Sequence, residues 1–274
     1  MRRWFDVALA LATGLAVVFL ALPLVALFVR IPPTSLISAL GDPAVRDAFV
    51  VSVKTTVVAH AIVLVVGTPA AYLLATSRFR GRNAILTMFE LPLLLPPAVA
   101  GLALLATFGR EGLLGGSLDA LGLSIPFTQI AVVMAIVFVS SPFYLRWGVA
   151  AFAAVDPQLL DASRTLGSGP AKTFARVALP LAAGGLGTAS SLAWARGLGE
   201  FGATIMFAGS FPGETRTLPL AVYAEFDRDF DVALAIGALL VVASLATLAT
   251  IRLLLSWPLS PSTSPFRFAR TTSA

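Results

Sequence analysis

The side chains able to do chemistry in this sequence are few, and most fall inside apolar runs. Arg196 and Glu200 stand four residues apart. On a helix that spacing places them on one face, where they can pair and neutralise charges that are expensive in hydrocarbon. The alternative is a gating role at an outer mouth. His60 could sense protons, or be a packed or hydrogen-bonded residue among small apolar neighbours. Glu90 lies close enough to the basic cluster Arg78, Arg80 and Arg82 to reach it or water. Thr188, Ser190 and Ser191 could line a pore as weak hydrogen-bond donors, or be small residues that let helices pack closely. With no cysteine and a single histidine, thiolate and multi-histidine metal sites are excluded within the chain. No catalytic residue is expected, because the sequence carries neither a paired His, Cys or carboxylate motif nor a G-x-x-x-x-G-K-[ST] phosphate loop.

These groups must be positioned by membrane helices. Of the 274 residues, 58% are hydrophobic and only 12% charged, and the mean hydropathy is +0.91, far from the composition of a soluble domain. A bilayer core about 30 Å thick takes about 20 apolar residues per helix. Six runs qualify: 7–29, 55–75, 84–108, 127–145, 181–207 and 232–255. The first follows Arg2 and Arg3 like a signal peptide, but is longer than a signal core and reads as a retained span. Pro92, Pro96 and Pro97 in the third span are consistent with simple kinking or with a broken helix lining a conduction path. Glu200 falls about 19 residues, or ~28 Å, into the fifth span, near its outer end.

Orientation follows from the cations. Arg2, Arg3, Arg78, Arg80, Arg82, Arg146, Arg164, Lys172, Arg176, Arg252, Arg267 and Arg270 share one side, which is then cytoplasmic, with both termini inside. The net charge of +5 therefore reads as topology, with membrane lipid and not nucleic acid as the surrounding partner. The outer loops 109–125 and 208–231 read as irregular connections rich in Gly, Pro and acids. The tail 257–274 reads as disordered and cytoplasmic. The fold expected is an all-α integral membrane protein, one transmembrane domain over 1–274.

One polar segment interrupts this pattern at 156–180. Asp156-Pro157 is a helix start, with a carboxylate to accept N–H bonds and a proline where its missing donor is harmless. A helix should run to Leu166, with Gly167 in the left-handed conformation after it. Ser168-Gly169-Pro170 then gives a turn and a second start, with a short helix over 171–178 closed by Leu179-Pro180. Two short helices rigidly tied to a membrane helix can carry a push from a soluble partner.

This segment resembles the EAA loop of ABC importer permeases, E-A-A, three residues, G, nine residues, I-x-L-P. Here Asp161-Ala162-Ser163, Gly167 and Val177-Ala178-Leu179-Pro180 keep both spacings, with Asp161 for Glu, Ser163 for Ala and Val177 for Ile. The stretches LPLLLPP at 91–97 and RGLGEFGAT at 196–204 are similar to the oxyanion branch, above all molybdate and tungstate permeases, with sulfate permeases sharing a similar Leu-Gly-Glu segment.

The resemblance implies a six-span inner-membrane pore subunit whose two-helix loop contacts a separate ABC ATPase through Asp161, Ala162, Ser163, Gly167, Pro170, Val177, Leu179 and Pro180. It also implies an extracytoplasmic oxyanion-binding protein and a second permease copy, a homodimer by the molybdate and tungstate likeness. No cofactor is expected on this chain, since ATP and Mg would sit on the ATPase. Pathway or gate candidates are Pro96, Pro97, Thr188, Ser190, Ser191, Arg196 and Glu200, with direct coordination of a dianion by Glu200 opposed by repulsion. A secondary transporter, which would ordinarily show internal repeats and more midplane charge, and a membrane enzyme are the other classes.

Overall fold

The computed structural model describes residues 2–256, so the tail 257–274 lies outside the described residues. Among these the elements are helical throughout. A 29-residue α1 (Arg2–Arg30) is followed by a short α2 (Pro33–Gly41) and a 34-residue α3 (Pro43–Thr76). The third span is two helices, α4 (Arg82–Leu94) and α5 (Pro97–Phe108), bent by 115° at the junction. Then come α6 (Gly115–Ala120), α7 (Gln129–Ala153) and α8 (Pro157–Thr165). A short α9 (Pro170–Thr173) passes through a π turn (Phe174–Ala178) into α10 (Leu179–Leu198). The chain ends in α11 (Gly202–Phe207), α12 (Leu218–Phe226) and α13 (Phe230–Ser256). Among the described residues five helices are long and apolar enough to cross a bilayer, or up to six spans if the bent pair is one.

The centre of the bundle is α7, flanked by α3 and α10. Small residues set these approaches, as interfaces between apolar helices require. A side chain at Gly67 would strike Tyr144, and one at Gly185 would strike Ala151. Hydroxyls tie the same helices, with Thr68 Oγ1 at 2.6 Å from the Tyr144 hydroxyl. At the end of the bundle that carries the polar insert, Tyr72, Phe152 and Phe174 cluster, with ring centroids 5.3 and 4.9 Å from Tyr72. By contrast the described side chains of α1 are nearly all exposed, and it leans on α13 near Leu27, Ala235 and Ala238.

Several expectations need correction. The second span begins at Pro43, capped by Asp42, whose side chain accepts the Ala44 N–H at 2.7 Å. The outer loops are not wholly irregular, since they contain α6 and α12. In α12, Leu218 and Leu220 are buried, and the Leu218 N–H donates to Ser52 Oγ at 2.7 Å. The second helix of the polar insert does not end at Leu179-Pro180 but runs on into the span. The Pro180 ring would clash with the carbonyl four residues back in a regular helix, and the wider π turn just before it accommodates the ring without a break.

Candidate coupling loop and membrane site

The insert forms as its residues dictate. Asp156 Oδ1 accepts the Gln158 N–H at 2.9 Å, capping α8. The helix stops at Thr165, one residue short of Leu166, and Gly167 follows with φ +82°. The Ser168 N–H bonds the Ser163 carbonyl at 3.1 Å and the Gly167 N–H bonds the Arg164 carbonyl at 3.0 Å, the paired bonds of a Schellman stop. Leu160 turns inward, 6% exposed, against Phe152, Val155 and Ala178. Leu159 and Leu166 are exposed, as are Asp161, Ala162 and Pro170. Asp161 pairs with Arg164 at 3.2 Å in full solvent, so the pair adds little stability.

Ser163 does something sequence reading did not assign: its hydroxyl meets Thr173 Oγ1 at 3.1 Å, joining α8 to α9. Thr173 is fully buried and was missed, because a threonine between Lys172 and Phe174 carries no periodic signal of its own. Val177 and Leu179 pack on the same core as Phe152 and Leu160, while Pro180 is exposed. The loop residues singled out in the sequence thus lie on and between α8, α9 and the π turn that leads into α10. A cleft of about 530 Å³ opens behind it, lined among others by Arg78, Arg82, Arg164 and Asp161. Arg82 Nε donates to the Leu74 carbonyl at 2.6 Å, stapling the end of α3.

The candidate residues inside the bundle divide into two places. His60 Nε2 lies 2.9 Å from Ser190 Oγ, and its ring meets Trp194 edge-on at 5.1 Å. His60 and Ser190 thus link α3 to α10. Ser191 donates to the Gly187 carbonyl at 2.9 Å and Thr188 to Gly184 at 3.2 Å, so both hydroxyls are satisfied by their own helix. Thr188 is nevertheless exposed, on a stripe with Leu192, Ala195 and Gly199. Glu90 is exposed on α4, away from any ion pair among the described residues.

The second place is where the two broken spans meet. Pro96 is the N-cap of α5 and Pro97 its first residue, so the prolines start a helix and do not merely kink one. The fifth span breaks too, at residues 199–201, against the single helix expected from 181 to 207. Gly202 presses on Pro97 and Ala98, and Gly101 on Ala203 and Met206, so closely that a Cβ would fall within 3 Å of its neighbours. Glu200 therefore stands in the break rather than on a helix face. Its Oε1 accepts the Ala203 N–H at 2.7 Å, and its Oε2 lies 2.6 Å from an Arg196 Nη. The ion pair expected from the spacing exists, with a break between its partners.

Its depth can be read against α7. A Cβ at Gly197 would touch Ile136 and come near Ser140, and Ser140 lies within a turn of the centre of the 25-residue α7. The outer end of the span is marked instead by Phe207, whose carbonyl accepts the Phe127 N–H at 3.3 Å beside the N-cap of α7. Arg196 therefore sits beside the interior of α7 and not at its end.

Residues 67–256 match the family described as binding-protein-dependent transport system inner membrane component. The chain is 44% identical over 230 residues to the molybdenum transport system permease protein ModB of Mycobacterium tuberculosis, covering 83% of this chain and 86% of that one. It is 38% identical over 258 residues to a probable molybdenum ABC transporter permease protein of Haloferax volcanii, covering 90% and 92%. The probable transport system permease protein NifC of Clostridium pasteurianum is 35% identical over 242 residues, covering 88% and 85%. In fold the chain is similar to a bacterial ABC transporter involved in the import of the acidic polysaccharide alginate, with a TM-score of 0.72 at 16% identity over 93% of this chain and 96% of that one. The match over most of the length, on a multi-pass helical bundle, shows that the chain belongs to the binding-protein-dependent transport system inner membrane component family.

Proposed function

We propose that this chain is the pore subunit of an ATP-driven importer for molybdate or tungstate. The observation that carries the substrate reading is that relatives from a bacterium and an archaeon, alike over more than four fifths of the chain, bear molybdenum transport names. These favour molybdenum over the sulfate alternative. Family membership sets aside the secondary-transporter and membrane-enzyme readings. A permease subunit of this kind is not itself an enzyme, and ATP with Mg belongs on a separate ATPase.

In this reading 1–274 acts as one transmembrane domain with both termini cytoplasmic, paired with a second copy around one pathway. The surface of α8 supports the contact with the ATPase: Leu159, Ala162 and Leu166 face outward while Leu160 anchors the helix to Phe152 and Ala178. Closure of the ATPase on ATP moves α8, the Ser163–Thr173 link carries the motion into α9, and the continuous helix through the π turn passes it to α10. An extracytoplasmic binding protein delivers the oxyanion. Pro96, Pro97, Thr188, Ser190, Ser191, Arg196 and Glu200 are the pathway candidates.

Elemental analysis of Mo, W and S in cells lacking and regaining this chain, under limiting supply, tests the substrate. Selective loss of Mo or W on deletion supports the reading, and loss of sulfate-derived sulfur alone overturns it. The contact with the ATPase has its own test. At Gly167 space is free but φ is +82°, so Gly167→Val should cost about 1–2 kcal/mol in the left-handed conformation. The variant should insert normally and lose several-fold affinity for the ATPase in a pull-down titration. Wild-type affinity would remove α8 and its stop from the contact.

A further inference from the structure

The mid-membrane ion pair is asymmetric. The Glu200 side chain is 1% exposed, whereas that of Arg196 is 26% exposed. One carboxylate oxygen accepts the Ala203 N–H, and the other lies 2.6 Å from the guanidinium in an ion pair that lacks hydrogen-bond geometry. The guanidinium carries five donors in a planar fork, and its one ion pair runs through a single Nη. Its open side borders the exposed stripe of Leu192, Ala195 and Gly199 on α10.

Hydrocarbon cannot satisfy those donors at this depth. Irregular backbone in a bilayer is tolerated only where it is buried in protein or lines a polar cavity. Here two irregular segments, 95–96 and 199–201, are brought together by the contacts of Gly101 and Gly202. The fork geometry of a guanidinium matches the oxygens of a tetrahedral oxyanion, which it can hold through two parallel bonds.

We propose that Arg196 is the mid-membrane contact for the transported oxyanion, and that Glu200 is a positioning residue which aims the guanidinium and weakens its hold. This rests on the importer reading above. A lone guanidinium in a low-dielectric pathway would trap a dianion, whereas conduction needs binding favourable enough to enter and weak enough to leave. The buried carboxylate supplies the opposing charge from behind, with Arg196 between it and the open side. It repels the anion without touching it.

The test uses the whole importer, permease with its ATPase and binding protein, in proteoliposomes and nanodiscs. Uptake of radiolabelled molybdate, ATP hydrolysis and anion retained on the complex after gel filtration are measured together. Glu200→Gln should retain about tenfold more anion than wild type and turn over about tenfold more slowly, one lost charge interaction at this depth being worth about that factor. The double variant Arg196→Gln with Glu200→Gln removes both charges, so no buried charge is left unpaired. It should retain no anion and move about tenfold less per ATP while hydrolysis continues. Arg196→Lys, which keeps the charge but not the fork, should fall between.

The proposal is overturned if Glu200→Gln retains no more anion than wild type, or if the double variant moves as much anion per ATP. It is equally overturned if uptake and hydrolysis fall in proportion in every variant, the behaviour of a purely structural pair, or if the double variant dissociates into single permeases, which would place the open side of Arg196 against the second copy. A wild-type importer that moves neither molybdate, tungstate nor sulfate would sink the oxyanion reading itself, a result separable from all of these.

Discussion

Gly101→Leu should unfold the junction between the two broken spans at temperatures where the wild-type chain stays intact. The first atom added, a Cβ, would lie 2.6 Å from the Ala203 carbonyl oxygen, 2.8 Å from Met206 Cβ and 2.9 Å from Ala203 Cα. Two of those three atoms are backbone, so no rotamer change clears the space and α11 must move off α5. Overpacking of this kind costs about 3 kcal/mol, the upper end of what a well-packed interior shows. Gly116→Leu is the control, because nothing lies within 4 Å of a Cβ there. Thermal unfolding of the purified chain in nanodiscs should show a clear drop for Gly101→Leu and almost none for Gly116→Leu. Equal midpoints would mean that the α5–α11 contact is looser than the distances indicate.

Arg196→Ala carries the second large effect. It leaves the Glu200 carboxylate 1% exposed with its cation gone. Removing one member of a buried ion pair typically costs about 3–5 kcal/mol, because the remaining charge has neither water nor partner. The Ala203 N–H at 2.7 Å satisfies only one oxygen. Adding Glu200→Gln should restore most of the loss, since a glutamine carbonyl can still accept from Ala203 and no charge remains. Unfolding midpoints of wild type, both single variants and the double variant form the cycle that checks it. A double variant no more stable than Arg196→Ala would mean that the cost comes from lost packing of the arginine stem.

Much of the insert was legible because its signals are local. Asp156-Pro157 starts a helix and Gly167 ends it wherever the segment lies, since cap hydrogen bonds and left-handed backbone involve neighbours in sequence. The reading of Leu179-Pro180 as a stop failed for a related reason. Proline reports a local conflict, and a π turn resolves that conflict without ending the helix. Leu218 and its short helix were hidden among the acids of an outer loop, because their burial against α3 and α13 depends on partners far away in the chain.

What the sequence determined by itself is the apolar runs that supply the spans, their all-helical class and the place of the one polar insert. Transfer of apolar surface into a bilayer, and hydrogen bonding within a single helix, are summed over consecutive residues and can be read in one dimension. Tertiary structure alone decided that LPLLLPP is a 115° break and not a kink, that the fifth span breaks beside it, and that Arg196 and Glu200 meet at mid-depth. The two breaks rest on contacts between residues about a hundred positions apart, Gly101 with Ala203 and Pro97 with Gly202, and the pair stands where they meet. A free backbone end inside a membrane is stable only when a distant segment arrives to cover it.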